Sequence, residues 1–443
     1  MPHDVQLLLV PAPSGEAVLV RRPGTDGRAG LPVVTTDGGA EVPDVLRPVA
    51  ELLGDVRYLR SAGRAEGDDG DRYVLRVLDA LPGDPPAGHV WLPARDVDPA
   101  ALAVPEGLRG AVGRWLAELG GAPVPAERAP WARPGGIVPF LAWVDAQVRA
   151  SGAVPTGAPE VVQQWSISLV LRVPTDRGAL FAKAVTPYFG AEPALTTLLA
   201  ARTPDHLPSP LAADPQRGWL LLADAGIGPV DAKVRAANTA GLRALAAVQR
   251  AWAGRTDEVV AAGAAVRGPS TLAHDVADVL DVVGAAGRLV PSRALGAGAL
   301  DRLRVVAPTV EDAAAAITAT GIPETVVHGD LHPANAGLRP DGTACLLDWS
   351  DAAVGHPFVD ADLWLSHVEP DELAAARSTF AEAWDLADAV DVDALFGHAL
   401  VLGAAYQLVT SAWLLRAVEQ DERVLFAGGV LFWSKRLLEV TGG

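Results

Sequence analysis

Apolar residues in the first 120 positions occur in short runs that are separated by Gly, Pro and Asp. Runs such as VQLLLV, AVLVRR and RYVLRVLDAL have the length of strands and end at turn-forming residues, which predicts a series of short β-strands. The segment GLRGAVGRWLAEL closes this series and predicts a helix. A Pro-rich stretch, GGAPVPAERAPWARPGG, comes next and is typical of a linker. We therefore predict one domain over residues 1–120.

The pattern changes after the Pro-rich stretch. Apolar side chains recur at helical spacing in PFLAWVDAQVRASG, so we predict a linker and a leading helix over residues 121–154. Strands resume in SISLVLRV and GALFAKAV, and a helix follows at EPALTTLLAAR. From about residue 230 onward the chain is Ala-rich and mostly helical. This order predicts a second domain over 155–443, with a strand-rich lobe at about 155–225 and a large helical lobe at about 226–443.

Composition and charge narrow the classes of protein to consider. The 443 residues are 50% hydrophobic, which suffices for two or more domains with cores of their own. The formal net charge of −18 argues against a nucleic-acid-binding protein or one that binds an anionic membrane, since either needs a basic face. Cys345 is the only cysteine, which rules out internal disulfides and favours a cytoplasmic location. We predict a small partner, and the oligomeric state stays open.

Two apolar segments could suggest a membrane protein. The N-terminal MPHDVQLLLVPAPSGEAVLV has a short apolar run and carries Asp where a signal peptide would carry Lys or Arg. The segment ALVLGAAYQLVTSAWLL approaches the length of a membrane span, but Gln407, Thr410 and Ser411 interrupt it. We therefore predict a buried core helix and no membrane association.

The stretch VVHGDLHPANAGLRPDGTACLLDW places several polar residues around one predicted hairpin. An apolar strand ends at GDLHP, and two short strands follow around a Pro-Asp-Gly turn, which brings Asp348 beside the loop that carries Asp330 and Asn335. Asp and Asn are also ordinary turn residues. An Asp that accepts a hydroxyl proton, next to an Asn and an Asp that offer oxygens to Mg²⁺, nevertheless suits phosphoryl transfer.

The motifs HGDLHPAN and LLDWSDAAVGHPFVDADL resemble those of the aminoglycoside phosphotransferase and choline kinase group, which are small-molecule relatives of protein kinases. The resemblance covers residues from about 155 to 440 and implies an α+β, protein-kinase-like two-lobe fold that uses ATP, or GTP, with Mg²⁺. It implies these roles: Asp330 as catalytic base, Asn335 and Asp348 as Mg²⁺ ligands, His328 as support for the loop and Asp360 as its brace from the helical lobe. One departure is GHP, with His356, where the family commonly has Gly-Asp-Pro.

The strand-rich lobe offers a cation and a carboxylate for nucleotide binding. Lys183 lies in the apolar run GALFAKAV, and Glu192 begins the following helix nine positions later. The chain has only three lysines, at 183, 233 and 435, so a lysine inside an apolar strand favours a role on the nucleotide's phosphates over a side chain that merely extends to solvent.

No phosphate-binding glycine motif of the form G-x-x-x-x-G-K-[ST] is present in the sequence. The segment QQWSISLVL would have to cover the phosphates instead, which makes Ser166 and Ser168 candidate contacts. The segment GWLLLADAG resembles the family's interlobe strand, whose backbone would contact the adenine, although an ordinary buried strand would have the same pattern.

The N-terminal domain resembles a Nudix fold, with a strand pair, an LP turn and a helix that ends in ELLG. In that family the helix carries several Glu residues that bind divalent metals. Here RPVAELLG matches at Arg47, Glu51 and Gly54, but Pro48 and Leu52 occupy positions that need carboxylates. We therefore predict a Nudix-like α/β domain without catalytic activity, and an unrelated accessory domain is the alternative.

The spacing after Asp348 bears on the acceptor. Only 360 − 348 − 1 = 11 residues separate Asp348 from Asp360, which is too short for the activation segment of a protein kinase. We therefore predict a small hydroxyl-bearing acceptor such as an aminoglycoside, aminosugar or amino alcohol. A cationic acceptor would be favoured if part of an acidic run lines the cleft rather than forming a solvated face; this run contains Glu369, Asp371, Glu372, Glu382, Asp385 and Asp388.

Two alternatives stay open at this point. The chain could be a degraded kinase that binds nucleotide without transferring phosphate. It could also be a metal-dependent hydrolase that uses His328, Asp330 and His332 of HGDLH as ligands, although that reading leaves Asn335 and Lys183 without a role.

Overall fold

A computed structural model describes residues 3–23, 27–36, 42–54, 56–67, 69–231, 234–386 and 391–442, without the side chains of residues 42–44. The chain divides into two compact units. Unit 1 consists of Met1–Trp143, Glu160–Leu171 and Val418–Leu425. Unit 2 consists of Val144–Pro159, Arg172–Ala417 and Phe426–Gly443.

The strands are β1 Asp4–Leu9, β2 Ala17–Arg21, β3 Val33–Thr36, β4 Tyr58–Glu66, β5 Arg72–Leu78, β6 His89–Pro93, β7 Glu160–Gln164, β8 Ser168–Thr175, β9 Gly178–Val185, β10 Pro210–Asp214, β11 Trp219–Ala223, β12 Gly228–Pro229, β13 Ala265–Val266, β14 Thr325–Val327, β15 Ala336–Leu338, β16 Ala344–Leu346 and β17 Ala353–Gly355. The helices are α1 Val42–Leu53, α2 Glu106–Leu119, α3 Val138–Ala150, α4 Glu192–Arg202, α5 Arg235–Trp252, α6 Thr256–Ala261, α7 Pro269–Asp278, α8 Leu280–Leu289, α9 Ala299–Arg304, α10 Ala307–Ala319, α11 Pro357–Leu365, α12 Leu373–Ala383, α13 Val392–Ala417 and α14 Arg423–Val440.

Unit 1 is built on a four-stranded sheet in the order β3-β1-β5-β4. Strands β1 and β5 are parallel, whereas β3 and β4 pair antiparallel with their neighbours. Both faces of this sheet are covered, because Leu7 and Leu9 of β1 pack in the core that contains α2, and Leu8 packs in the core that contains α1. Burial on both faces explains why the second half of β1, Leu7–Leu9, is a continuous apolar run.

Unit 1 extends beyond the domain limit at residue 120 that the Pro-rich composition predicts. Trp131, inside the predicted linker, is buried, and its Nε1 donates a hydrogen bond to the carbonyl of Trp165 at 2.8 Å. Gln164 donates from Nε2 to the carbonyls of Tyr58 and Leu59 at 3.0 and 2.9 Å. Side-chain and backbone contacts therefore hold residues 121–143 and 160–171 in unit 1, which differs from the predicted boundaries.

Unit 2 begins with a small sheet and continues with helices. Its strands lie in the order β10-β11-β9-β8, where β8 starts in unit 1 and ends in unit 2. Helices α13, α5, α11 and α14 are the largest contributors to one large hydrophobic core. The predicted α+β class is confirmed, and so is the order of a small sheet followed by a large helical part. The Nudix-like character of the N-terminal domain stays a prediction.

Helix α13 contains the segment that approaches the length of a membrane span. In the part of the chain that the structure describes, it is the one helix that is long and apolar enough to cross a membrane. Most of its apolar side chains, including Leu402 and Leu408, are buried in the core of unit 2. This burial accounts for its composition and agrees with the predicted core helix.

Candidate active site

The loop after β14 carries the first candidate catalytic group. Strand β14 is buried and ends at His328, after which the chain turns at Gly329 and reaches Asp330. Gly329 has φ +83, and a Cβ there would lie 2.4 Å from the backbone oxygen of Asp351. Only glycine fits this turn, both for its dihedral angle and for the space available.

Asp360 holds this loop from α11. Its carboxylate accepts hydrogen bonds from the backbone amides of His328 at 2.7 Å and Gly329 at 2.9 Å. Gln249 of α5 donates to the same carboxylate at 3.1 Å, and Asp360 is only 5% exposed. The imidazole of His328 lies 2.7 Å through Nε2 from the carbonyl of Leu347, and it packs against Trp349. The loop is therefore fixed on both sides by buried groups.

The predicted hairpin is confirmed. Strands β15 and β16 pair antiparallel, with Ala336 opposite Leu346. The backbone amide of Leu347 donates to the carbonyl of Asn335 at 2.8 Å, which places the start of one strand beside the end of the other. Asn335 donates from Nδ2 to the carbonyl of Asp330 at 2.9 Å and approaches its Oδ2 at 3.4 Å. The hairpin thus joins the loop of Asp330 to the segment that carries Asp348.

Asp348 follows β16 in an uncommon backbone conformation. Its φ is 59, in the left-handed region, which only a few non-glycine residues adopt. Its Oδ1 accepts hydrogen bonds from Lys183 at 2.7 Å and Ser350 at 2.6 Å. Burial alone would raise the pKa of this carboxyl, but the charge and hydrogen bond of Lys183 outweigh it and lower the pKa to about 2. Asp348 is therefore ionised at neutral pH, with 38% of its side chain exposed.

Lys183 links the sheet of unit 2 to this hairpin. It lies in β9 opposite Leu220 of β11, and its Nζ donates to Glu192 Oε1 and Asp348 Oδ1, both at 2.7 Å. Burial alone would lower the pKa of Lys183, but the charges of Asp348 and Glu192 raise it above its usual range. Burial raises the pKa of Glu192, although the charge of Lys183 opposes this shift. The result is a charged lysine held between two carboxyl groups.

Asp330 differs from Asp348 in its exposure and its partners. Of its side chain, 44% is exposed, and the Nε2 of His332 lies 3.7 Å from its Oδ2. The hydrogen bond with Asp330 raises the pKa of His332, which favours the charged imidazolium beside this carboxylate. Asp330 is thus an accessible carboxylate that is positioned by neighbours on its own loop.

Three further residues contact the site and escaped the sequence analysis. Ser350 donates to Asp348, as described above, and Gln407 of α13 donates to the carbonyl of Gly329 at 2.7 Å. Burial, and then the charge of Asp330, raise the pKa of Asp351 to about 7. The signal for Gln407 was available, because it is a polar residue in an apolar helix. Asp351 has only a weak local signal, which is its position three residues after Asp348.

The remaining residues that the sequence singled out, Ser166, Ser168 and His356, make no described contact with Lys183, Asp330 or Asp348. Ser166 and Ser168 belong to unit 1, where Ser166 is buried and Ser168 is half-buried at the start of β8, so their contact with phosphates stays a prediction. His356 is buried and caps α11, since its Nδ1 accepts a hydrogen bond from the backbone amide of Phe358 at 3.3 Å. Burial lowers the pKa of His356 to about 4, so the ring is neutral. It fills the capping role that an Asp performs at other helix N-termini.

The donor atoms of Asn335 and Asp348 suit a magnesium ion. Asn335 uses its amide nitrogen to contact Asp330, which leaves its carboxamide oxygen to coordinate. Asp348 is ionised, and the hydrogen bonds from Lys183 and Ser350 both go to its Oδ1 and not to Oδ2. A carboxylate and a carboxamide oxygen are the hard ligands that Mg²⁺ takes in nucleotide sites.

The HGDLH cluster fits a metal less well. Both ring nitrogens of His328 are engaged, one with the carbonyl of Leu347 and the other with the amide of Asp330 at 3.4 Å. Among the described residues, no group of three or more His, Cys, Asp and Glu side chains has an arrangement that could hold a metal ion.

Comparisons with known proteins add structural likeness only. Family models and curated proteins gave no match to the sequence. A solved macrolide 2'-phosphotransferase type I matches with 20% identity, 66% of this chain, 96% of that chain and a TM-score of 0.45. The macrolide 2'-phosphotransferase MphH from Brachybacterium faecium matches with 17% identity and a TM-score of 0.45, and the match covers 66% of this chain and 98% of that chain. The choline kinase LicA from Streptococcus pneumoniae matches with 12% identity and a TM-score of 0.47, and the match covers 68% of this chain and 99% of that chain.

By name these three proteins are two macrolide phosphotransferases and a choline kinase. Because the identities are 20% or lower and the TM-scores lie below 0.5, the case for function rests on the geometry of the site.

Proposed function

We propose that the chain transfers the γ-phosphoryl group of ATP to a hydroxyl of a small molecule, with Mg²⁺ as cofactor. One observation carries this proposal. Lys183 Nζ lies 2.7 Å from both Glu192 and Asp348, while Asp330 on the loop after β14 keeps an accessible carboxylate. A cation for phosphates, an ionised metal ligand and a free base are the parts that phosphoryl transfer requires.

The nucleotide would be held by the Lys183 cluster. Glu192 keeps Lys183 in place inside the sheet, so that its ammonium group can contact the phosphates at a fixed position. Asn335 and Asp348 would hold Mg²⁺, and the ion would neutralise negative charge that develops on the phosphates. GTP would satisfy the same contacts, so the choice of nucleotide is left to experiment.

Asp330 would act on the acceptor. Its exposed carboxylate can accept a hydrogen bond from the acceptor's hydroxyl and then take up the proton as the oxygen attacks. Asn335 contacts the backbone and side chain of Asp330, which limits how the carboxylate can turn. Asp360 acts on this reaction through the loop and not by contact with substrate.

The acceptor would be a small molecule. The 11 residues between Asp348 and Asp360 are occupied by a 3₁₀ turn at Trp349–Asp351, by β17 and by the start of α11. No stretch there is long enough to form a platform for a peptide. A cytoplasmic location would suit such an enzyme, since ATP is its donor.

The acidic run after α11 favours a cationic acceptor less clearly. Glu372 forms an ion pair with Arg235 at 3.3 Å, and Asp385 pairs with Arg250. Asp371 and Glu382 are exposed, Glu369 is half-buried, and Asp388 lies outside the described residues. Pairing and exposure support the solvated-face interpretation for most of this charge, and an amine-bearing acceptor stays a proposal.

The test combines an acceptor panel with one substitution. Purified protein is incubated with Mg²⁺-ATP and a set of aminoglycosides, aminosugars, amino alcohols and neutral sugars, and phosphorylated products are detected by phosphorus NMR. We expect transfer to at least one hydroxyl-bearing compound. We expect Asp330→Asn to lower the turnover rate by roughly 10²- to 10⁴-fold, the usual contribution of a general base, while nucleotide affinity is retained.

Asp341→Asn is the matched control, because Asp341 is an exposed carboxylate in the turn of the nearby β15–β16 hairpin and Asn can keep its hydrogen bond from Thr343. Full activity in Asp330→Asn would contradict the mechanism. Nucleotide binding by the unmodified protein without transfer to any acceptor or to water would favour the degraded-kinase alternative. Hydrolysis that requires zinc would favour the metal-dependent hydrolase.

A further inference from the structure

Unit 2 has a surface groove of about 590 Å³ that contains none of the residues of the proposed kinase reaction. One wall comes from residues 292–302, and the other is a face of α14. Both segments belong to unit 2. A cleft of this volume is large enough to take a small organic molecule.

The wall that α14 forms is mostly apolar. Gly428, Leu431, Lys435 and Leu438 follow one another at intervals of three or four residues, and Phe432 lies four residues after Gly428, so all five share one face of the helix. Leu431 and Leu438 are buried, whereas Phe432 is 60% exposed, more than any other phenylalanine or tryptophan in the described part of the chain. A ligand with an apolar part would remove this ring from water.

The other wall supplies positive charge through Arg293 and Arg302. Both residues are exposed, and neither side chain forms an ion pair or a hydrogen bond with any residue that the structure describes. A Cβ on Gly428 would lie 3.0 Å from Nη1 of Arg293, so this guanidinium group lies against α14 at the one position of the face that has no side chain. The glycine thereby allows a cation to lie next to the apolar wall.

The charge of the groove is positive on balance. Among the described residues, none with a carboxyl group belongs to its wall. Lys435, the third cation of the wall, lies 3.8 Å from Glu439, and Glu439 also lies 3.8 Å from Arg436. This carboxylate offsets one positive charge at most, and the charges of the two arginines are left without a partner. The groove therefore favours an anion, although the chain as a whole has a net charge of −18.

A phosphate monoester with an apolar body matches both walls. A phosphate group carries a charge of about −1.5 to −2 near neutral pH and has three acceptor oxygens, which suffice for two guanidinium groups, whereas a carboxylate carries one charge only. We propose that the groove binds such a monoester, with the phosphate on Arg293 and Arg302 and the apolar body against Leu431 and Phe432. The site is separate from the proposed nucleotide site, so its occupation does not depend on phosphoryl transfer.

The experiment measures binding to the full chain by calorimetry, without Mg²⁺ or nucleotide, with four probes: phenyl phosphate, inorganic phosphate, benzoate and phenol. We expect phenyl phosphate to bind at one site per chain, more weakly as salt is raised. Inorganic phosphate should bind about tenfold more weakly, because it buries no apolar surface. Benzoate should also bind about tenfold more weakly, because it has a single charge, and phenol should bind more weakly still.

Two substitutions of exposed residues locate the site. We expect Arg302→Gln to weaken phenyl phosphate and inorganic phosphate alike by about tenfold, the effect of losing one charge-assisted hydrogen bond. Phe432→Ala should weaken phenyl phosphate and leave inorganic phosphate unchanged. Arg243→Gln is the matched control, because Arg243 is an exposed arginine of α5 outside the groove, and it should change either affinity less than twofold.

The proposal is overturned if phenyl phosphate does not bind the unmodified chain, or if benzoate binds as tightly as phenyl phosphate. It is also overturned if Arg302→Gln and Arg243→Gln bind phenyl phosphate equally well, since the probe then occupies another site, such as the Lys183 cluster. Circular dichroism of each variant excludes loss of folding as a cause of weaker binding. These outcomes are independent of the proposed kinase reaction, because no donor or acceptor is present.

Discussion

Both units contain buried charged groups, and they use them differently. In unit 1, Arg128 donates to Glu118 at 2.8 Å and to Glu419 at 2.7 Å, and Arg60 lies 3.1 Å from the same Glu419. Each of these four side chains is 14% exposed or less. In unit 2, the chain of contacts from Glu192 through Lys183 ends at Asp348, whose side chain is 38% exposed.

The two networks differ in the exposure of their side chains. A network whose charged side chains are all buried is structural, whereas a network that ends at an exposed carboxylate can contact a ligand. In unit 1 two cations and two carboxylates balance one another, so the network can only hold segments together. In unit 2 one end of the network is open to a ligand, and Asp330 adds a second accessible carboxylate. Substitutions should therefore affect stability in the first case and ligand binding or chemistry in the second.

The largest effect is expected from Arg128→Met. Removal of this guanidinium leaves Glu118 and Glu419 as buried charges without their main partner, which should lower the free energy of unfolding by about 3–5 kcal/mol. Urea unfolding measures the change. The control is Arg95→Met, because the exposed pair of Arg95 and Asp96 should contribute no more than about 1 kcal/mol. Equal stability of the two variants would contradict the structural role of the network.

A smaller effect, on binding, is expected from Asp348→Ala. The variant lacks an anionic metal ligand, so the affinity for Mg²⁺-ATP should fall by roughly ten- to a hundredfold, in line with a charged contact of about 1.5–3 kcal/mol. Calorimetry with and without Mg²⁺ separates the two contributions, since the loss should disappear when the metal is absent. Unchanged affinity for Mg²⁺-ATP would show that Asp348 serves only to neutralise Lys183.

Glu422→Gln should change how stability depends on pH. The folded-state pKa of Glu422 is raised to about 8. The protonated carboxyl group therefore stabilises the folded state fully at pH values below the ordinary carboxyl pKa range, and this stabilisation is lost as the pH rises through 8. The variant cannot ionise, so it should gain stability relative to the unmodified chain from pH 5 to pH 9. The gain should be at least about 1.4 kcal/mol, the equivalent of one pKa unit.

Urea unfolding at the two pH values measures this gain. Glu66→Gln is the control, since Glu66 is an exposed residue of β4 and has no comparable environment. A constant difference between Glu422→Gln and the unmodified chain across this pH range would show that the carboxyl group is solvated.

The smallest effect is expected from His356→Ala. The substitution removes the ring that accepts a hydrogen bond from Phe358 at the start of α11, and loss of such a cap costs about 1 kcal/mol. His356→Asn also loses the ring but keeps an acceptor, so the difference in stability between the two variants isolates the cap. Identical stabilities would mean that the ring acts by packing alone.

Local patterns predicted much of unit 2. The hairpin of β15 and β16 follows from its Pro-Asp-Gly turn, and the positions of Lys183 in a strand and Glu192 at a helix start follow from the apolar run and its end. The residues that form these features lie within a few positions of the turn and apolar residues that predict them. Local backbone preferences are therefore enough to set their structure. The direct contact of Lys183 with Asp348 was not predicted, because the two residues are 165 positions apart and no local pattern joins them.

Unit 1 was harder to predict because its organisation depends on distant segments. The Pro-rich composition of residues 121–143 suggested a linker, yet Trp131 and Arg128 are buried there by contacts with residues 165 and 419. No local period or turn indicates that two arginines and two glutamates will meet. Tertiary packing overrode the composition, as it does wherever burial yields more free energy than local preference.

Residues 418–425 belong to unit 1 although they are synthesised long after the rest of it. During translation Arg60 and Arg128 leave the ribosome far ahead of Glu419, so the network they share cannot close until nearly all of unit 2 has been made. Many multidomain chains finish their N-terminal domain first, but this one cannot. A nascent or truncated chain that stops before residue 418 lacks Glu419, so Arg60 is without its ion pair to that residue and Arg128 is left with Glu118 alone. Unit 1 is incomplete in such a chain, which is therefore a natural target for chaperones and proteases.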